Sequence, residues 1–286
     1  LINPGPAHQA RLQGVRALRD AGIAAPEHDA AELLGAVLDI PRAMLPMARE
    51  LDQDQADSYA ALLARRAARE PLQHILGSTG FFGLEIAVGP GVFIPRPETE
   101  VLVESALRSI ETVTDPVVID LCTGSGAIAV AIATRRPDAV VTAVELSERA
   151  SGWLRRNVRR LTPQVEVLIG DALDESLALP TPADLVTCNP PYVPEGTAVD
   201  RETALHDPRA AVFAGEDGLA LIRPLVPRIG RLLRPGGTIV LEHDESHQDD
   251  VLAIVAGSGM FQPPTAITDL TGRPRHVRAV RSPDRD

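Results

Sequence analysis

The run Val117-Val118-Ile119-Asp120-Leu121 leads straight into Cys122-Thr123-Gly124-Ser125-Gly126 and then into Ala127-Ile128-Ala129-Val130-Ala131-Ile132-Ala133. Strand, glycine-rich turn and helix in that order open a βαβ unit, and few folds can use one. Glycines let a backbone approach a ligand closely, and a helix N-terminus offers free N–H groups. The spacing is not G-x-G-x-x-G, which speaks against a dinucleotide. About 20 residues beyond the glycines, a second strand Val140-Val141-Thr142-Ala143-Val144 ends in Glu145, where a carboxylate can accept from two ribose hydroxyls. A ribose carboxylate and a glycine turn, without a phosphate-binding lysine, suit a nucleoside that carries no polyphosphate. S-adenosylmethionine (SAM) is the candidate.

From residue 115 onward strands and helices alternate. Strands are expected at 117–121, 140–145, 165–169, 184–188, 238–242, 264–270 and 276–281, and helices near 126–135, 147–160, 217–233 and 247–257. The expectation is an α/β fold with a doubly wound, mostly parallel seven-stranded sheet. A hairpin turning at Gly272-Arg273-Pro274 makes the last strand antiparallel. Ligands of such sheets sit beyond the strand C-terminal ends at the switch point. Gly124, Glu145, Asp171 and Asn189 all fall at such ends, with Asp171 placed to accept from an adenine amino group.

Asn189-Pro190-Pro191-Tyr192 follows the strand Ala183-Asp184-Leu185-Val186-Thr187-Cys188. Two prolines cannot extend a β-ladder, because they lack N–H donors and have fixed φ. The chain is stiffened where strand becomes loop. The Asn189 side-chain oxygen and the Pro190 carbonyl are both acceptors, able to hold the two hydrogens of an –NH2 group. The Tyr192 ring can pack on the flat π-system of an amide or base. These residues point to methylation of an amide or amine nitrogen.

Ahead of the sheet, residues 7 to about 70 read as a small helical bundle. Leu12, Val15, Leu18 and Arg19 mark the first helix, stopped by Gly22. Pro26 opens a second, with Ala30, Leu33, Leu34, Val37 and Leu38 on its apolar face. Asp54 is expected to cap a third, running through Leu62, Leu63 and Ala67 to Arg69. Arg65, Arg66 and Arg69 form a basic cluster there, either a solvated face or part of a docking surface. Glycines alternating with Phe81, Phe82, Leu84, Ile86, Val88 and Phe93 over 76–95 suggest a linking β-hairpin. Pro95-Arg96-Pro97 then stiffens an entry loop before Glu98 starts a helix. The expected domains are 1–75, a 76–95 hairpin linker, and 96–286.

Composition narrows the function. Hydrophobic residues make up 44%, ample for a core, but aromatics only 3%, so the core must be Ala, Val, Leu and Ile. The net charge of −11, with arginine as the sole strong base, argues against a direct nucleic-acid binder. Two cysteines suit a reducing cytoplasm. No stretch of about 18 apolar residues is present to span a membrane. Leu1-Ile2-Asn3-Pro4-Gly5-Pro6 does not read as a signal peptide. His243-Asp244-Glu245-Ser246-His247 has the wrong order for a zinc-protease helix, and no metal site is expected.

Five motifs occur in characteristic order: Phe93-Ile94-Pro95-Arg96-Pro97-Glu98-Thr99-Glu100, Asp120 to Gly126, Asn189 to Tyr192, Ala214-Gly215-Glu216-Asp217-Gly218-Leu219, and Leu233-Arg234-Pro235-Gly236-Gly237. In them the chain resembles the release factor glutamine methyltransferases of the PrmC/HemK type, over nearly its whole length. The Asn-Pro-Pro-Tyr motif alone is shared with DNA adenine methyltransferases. Cys122 stands where the family usually has glycine, and Ala214 where a glycine often precedes Gly215. The resemblance implies N5-methylation of the glutamine in a release factor's Gly-Gly-Gln loop, with SAM as donor and S-adenosylhomocysteine as product. It implies catalytic roles for Asn189, Pro190 and Tyr192. The implied cofactor pocket comprises Phe93, Cys122, Thr123, Gly124, Ser125, Gly126, Glu145, Leu146, Asp171, Ala172 and Asn189. Arg96, Glu98 and Pro191 join Asn189, Pro190 and Tyr192 at the substrate. A cytoplasmic monomer acting on a protein substrate is expected. The rivals are a ribosomal-protein glutamine methyltransferase, a nucleic-acid adenine or guanine amino methyltransferase, and a silent SAM-binding adaptor.

Overall fold

A computed structural model describes residues 2–48 and 50–284. The chain divides into two compact units, one of Leu1–Ser78 with Val199–His206 and one of Thr79–Ala198 with Asp207–Asp286.

The first unit holds β1 (Gly5–Pro6), α1 (Ala7–Asp20), α2 (Pro26–Leu38), β2 (Glu50–Leu51), α3 (Gln53–Ala67) and α4 (Leu72–Leu76). α1, α2 and α3 form where the spacing places them, with two corrections, and the short α4 is an addition. The α3 cap is Asp52 rather than Asp54: Asp52 accepts from the Gln55 N–H, and the Gln55 side chain accepts from the Asp52 N–H. That reciprocal box satisfies two otherwise orphaned donors, which Asp54 inside the first turn could not do. Leu12 is 49% exposed, because the buried stripe of α1 is Ala7, Ala10, Gly14, Val15 and Leu18. Gly14 is needed there: a Cβ would lie 2.2 Å from the buried Tyr59 hydroxyl, which itself donates to the Ala30 carbonyl at 2.9 Å.

The second unit begins with a two-stranded ribbon, β3 (Ser78–Phe81) and β4 (Leu84–Ala87), turning through Phe82 and Gly83 at φ +50° and +77°. Two positive φ values are what a tight hairpin turn with the right twist demands. The hairpin is shorter than the expected 76–95, since residues 88–98 form no strand. In chain order follow α5 (Thr99–Ser109), β5 (Val117–Leu121), α6 (Ala127–Arg135), β6 (Val140–Glu145), α7 (Glu148–Leu161), β7 (Glu166–Ile169) and β8 (Ala183–Cys188). Next comes α8 (Arg201–His206), which clusters with the first unit; there Arg66 pairs with both Glu202 (2.6 Å) and Asp29 (2.7 Å). The chain ends with α9 (Arg209–Val212), α10 (Ile222–Leu232), β9 (Leu233–Glu242), α11 (Gln248–Gly257), β10 (Thr265–Thr268) and β11 (Pro274–Val280).

One seven-stranded sheet runs β10-β11-β9-β8-β5-β6-β7. β11 is antiparallel to both of its neighbours; β9, β8, β5, β6 and β7 run parallel. The alternation of strands and helices dictates this order, and the antiparallel strand falls at the expected hairpin. One core packs α5, α6 and α7 on the sheet, and a second packs α10 and α11. Ala127 to Ala133 are all buried, so small aliphatic side chains fill the place of aromatics. The winding reverses between β5 and β8, where Leu121 and Cys188 are register partners. A crevice is expected at their carboxyl ends.

Candidate active site

The glycine turn leaves β5 at Cys122, which has φ +57°, as has Gly124; Gly126 has φ +83°. A side chain rarely adopts this backbone, which explains why glycine suits position 122 and marks Cys122 as a strained substitute. At Gly126 a Cβ would meet Leu154 at 2.5 Å, so the turn lies tight on α7. At Gly124 a Cβ would meet nothing within 4 Å, so the turn faces open space on that side.

Glu145, buried at the end of β6, closes on this turn. It accepts from the Gly124 N–H at 2.8 Å and from the Ser147 N–H at 2.7 Å. Each carboxylate oxygen has a further lone pair, so both can still accept from a ligand hydroxyl. Leu146 is exposed beside it. On the neighbouring strand end, Asp171 is exposed and accepts from the Leu173 N–H at 2.9 Å, while Ala172 is buried. These groups fit the cofactor chemistry: acceptors for hydroxyls and an amino group, open space above a glycine turn, and no lysine to demand a phosphate.

Asp120 lies beneath the turn, fully buried. It accepts from the Thr123 hydroxyl on one side and from the Thr187 hydroxyl (2.7 Å) on the other. Burial pushes its pKa up to about 6, against the two hydroxyl hydrogen bonds that favour the ionised form. It ties the β5 turn to β8 two residues before Asn189. Asn157 on α7 does the same on the far side. Its amide donates to the Ser125 and Ala87 carbonyls, both at 2.9 Å, and its oxygen accepts from the Ala87 N–H at 2.8 Å.

Across the switch point, Asn189 and Pro190 directly follow β8, and the loop beyond is braced. Val193 donates to the Val212 carbonyl and Ala214 to the Val193 carbonyl, both at 2.9 Å. Gly218, at φ +74°, has the Tyr192 carbonyl only 2.3 Å from where its Cβ would stand. The Ala214-to-Leu219 motif is therefore a buttress for the Asn-Pro-Pro-Tyr loop, and only glycine fits at 218. The Asn189 amide donates to the Thr99 hydroxyl at 3.3 Å. The Tyr192 hydroxyl donates to Glu242 Oε1 at 3.2 Å; burial and the adjacent Glu242 carboxylate push the phenol pKa upward.

Phe93 is part-buried, with the Arg96 guanidinium 5.0 Å over its ring. Arg96 also pairs with Asp207 at 3.0 Å, so its charge is engaged within the protein. Glu98 is part-buried at the start of α5. The Arg65, Arg66 and Arg69 cluster is engaged likewise: Arg65 pairs with Glu70, Arg66 with Asp29 and Glu202, and Arg69 donates to the Ala21 and Gly22 carbonyls. Among the described residues, no group of three or more His, Cys, Asp or Glu is arranged to hold a metal. No helix among them is long and apolar enough to cross a membrane.

Asp120, Asn157, Thr99, Glu242 and Gly218 escape the sequence reading as site residues. The polar residues Asp120 and Thr187 at fully buried positions of their strands carry a signal, since a buried polar group needs a partner. Nothing local marks Asn157 or Glu242.

The fold and these strand ends define a methyltransferase domain of the seven-stranded, SAM-dependent class. Residues 85–206 match the methyltransferase small domain, and residues 9–77 match the PrmC N-terminal domain. The chain belongs to the release factor glutamine methyltransferase family. It is 44% identical over 92% of its length to the release factor glutamine methyltransferase of Mycolicibacterium smegmatis, covering 94% of that protein. It is also 44% identical to that of Streptomyces coelicolor, over 94% of this chain and 96% of the relative. A solved methyltransferase structure from Pyrococcus furiosus shares the fold, with a TM-score of 0.52 and 18% identity, over 77% of this chain and 100% of that one.

Proposed function

We propose that this protein methylates the side-chain amide nitrogen of the glutamine in the Gly-Gly-Gln loop of peptide-chain release factors, using SAM. The observation that carries the reading is the full-length identity to release factor glutamine methyltransferases. The stiff Asn189-Pro190 acceptor pair beside a nucleoside-type glycine turn gives it a chemical basis. The work belongs in the cytoplasm, where release factors act, and one chain carries every residue the reading uses.

Glu145, the Thr123-to-Gly126 turn, Phe93, Leu146, Asp171 and Ala172 are assigned to hold the cofactor, which supplies an electrophilic methyl group on a sulfonium. Asn189 Oδ1 and the Pro190 carbonyl accept the two amide hydrogens of the substrate glutamine, and the Tyr192 ring packs against the amide plane. A neutral amide nitrogen is a poor nucleophile, because its lone pair is delocalised into the carbonyl. Two fixed acceptors favour a more localised, pyramidal nitrogen as positive charge develops on it, and they hold it at near-attack distance. None of the three residues is asked to be a strong base, since methylation leaves a cationic amide nitrogen whose proton is acidic enough to pass to solvent.

The first test is tritium transfer from labelled SAM to purified release factor, with ribosomal proteins, DNA and rRNA in parallel. Label in the release factor, mapped to the Gly-Gly-Gln peptide, supports the reading; label in any other substrate instead overturns it. The helical unit is assigned to docking, so an intact release factor should show a far lower KM than a short Gly-Gly-Gln peptide. Equal KM values would remove that role.

A further inference from the structure

We propose that Thr99 and Glu242 form a positioning relay that orients the Asn189 amide and anchors the Tyr192 ring. The inference rests on the reading of Asn189 as an amide acceptor and adds the residues that make it one. Glu242 ends β9 and is 2% exposed. Its Oε2 accepts from the Thr99 hydroxyl at 2.8 Å, and its Oε1 from the Tyr192 hydroxyl at 3.2 Å. Thr99, 3% exposed at the start of α5, faces Asn189 Nδ2 at 3.3 Å.

Donor accounting gives the relay its direction. A carboxylate only accepts, and a hydroxyl has one proton. The Thr99 proton goes to Glu242, so toward Asn189 the hydroxyl can only accept. The Asn189 atom facing Thr99 must then be the NH2, and Oδ1 is left for an external donor. Reversed, the side chain would set two acceptors against each other and offer the substrate an NH2, which cannot accept an amide hydrogen. Glu242 thus decides, two hydrogen bonds away, which end of the Asn189 amide meets the substrate. Through its other oxygen it holds the Tyr192 ring. His276, the register partner of Glu242 on β11, is fully buried and brings Nε2 to 3.4 Å of the same carboxylate. Thr99 and Glu242 are positioning residues, acting through their hydrogen bonds to Asn189 and Tyr192.

The test is a single-turnover methyl-transfer assay with saturating SAM and release factor, on Thr99→Val, Thr99→Ser, Asn189→Ala and the Thr99→Val/Asn189→Ala double variant. Thr99→Val should lower the rate about tenfold, less than the 10²–10³ typical of removing a preorganised group outright. Thr99→Ser, which restores the hydroxyl, should recover most of the rate. SAM affinity and release-factor KM should stay within about twofold. The double variant should be no slower than Asn189→Ala alone, because Thr99 acts through Asn189. If Thr99→Val melts early, Glu242→Gln supplies the cycle from the other end, costing less in the Asn189→Ala background than in the wild type. A Thr99→Val enzyme at the wild-type rate, or additive losses in the cycle, overturns the relay while leaving Asn189 its role. An Asn189→Ala enzyme at the wild-type rate overturns the relay and the acceptor reading together.

Discussion

The two sides of the β5–β8 switch point are held by different means. On the β5–β6 side, the turn is shaped by its own backbone. Positive φ at Cys122, Gly124 and Gly126 sets its path, and Glu145 clamps it through the Gly124 N–H. On the β8–β9 side, the backbone is stiffened by two prolines, but the side chains take their orientation from distant elements. Thr99 comes from α5, Glu242 from the end of β9, and Gly218 from the loop before α10. A cofactor-binding turn must present N–H groups and space, which its backbone geometry provides once Glu145, Asp120 and Asn157 pin it in place. A site that must offer an acceptor and not a donor needs side-chain bookkeeping. Changes on the first side should therefore read out in cofactor affinity, and changes on the second in rate.

Asn189→Ala should give the largest effect, a fall in single-turnover rate of about 10²–10³, with SAM affinity changing much less. Asp120 belongs to both sides and can break the comparison. Its pKa, pushed up to about 6 by burial against an ordinary aspartate value of 3.8, makes its ionisation costly to the fold. The stability contributed by the neutral carboxyl is fully present below the unfolded value and is lost as pH rises through about 6. Asp120→Asn should remove that dependence. Relative to wild type, its unfolding free energy should rise by roughly 2 kcal/mol between pH 4 and pH 7 in denaturant titrations. A constant difference over that range would mean that Asp120 is not held in this way. Next in size, Glu145→Ala should cost about 1.5–3 kcal/mol of SAM binding by calorimetry. Its rate at saturating SAM should stay closer to wild type than that of Asn189→Ala. An unchanged SAM affinity would remove Glu145 from the cofactor site. The smallest effect is expected for Arg231→Ala. It removes an ion pair with Glu175 in which both side chains are more than half exposed. Less than about 1 kcal/mol should appear in melting, with methyl transfer unchanged.

The same contrast explains what could be read from the sequence. The β5 turn, the acid closing β6 and the whole parallel sheet were legible, because their signals are local: glycine spacing, apolar runs, alternation of strand and helix. Asn189 and Tyr192 were legible as a motif. Thr99 and Glu242 were not legible as their supports, because the hydrogen bonds that matter join residues 90 and 143 positions apart. The third-helix cap slipped by two residues because Asp52 and Asp54 are both plausible caps, and only Asp52 has Gln55 three positions on. The Arg66 cluster looked like a surface because a basic run on a helix usually is one. Its partners are Asp29, 37 residues before it, and Glu202, 136 beyond.

The division between the two sides is tested most directly by one pair of numbers on Asn189→Ala: its SAM dissociation constant and its single-turnover rate with saturating SAM and release factor. The account predicts a dissociation constant within a few-fold of wild type and a rate about 10²–10³ lower. A folded Asn189→Ala enzyme that turns over within a few-fold of wild type, or one that fails only because it no longer binds SAM, would contradict it.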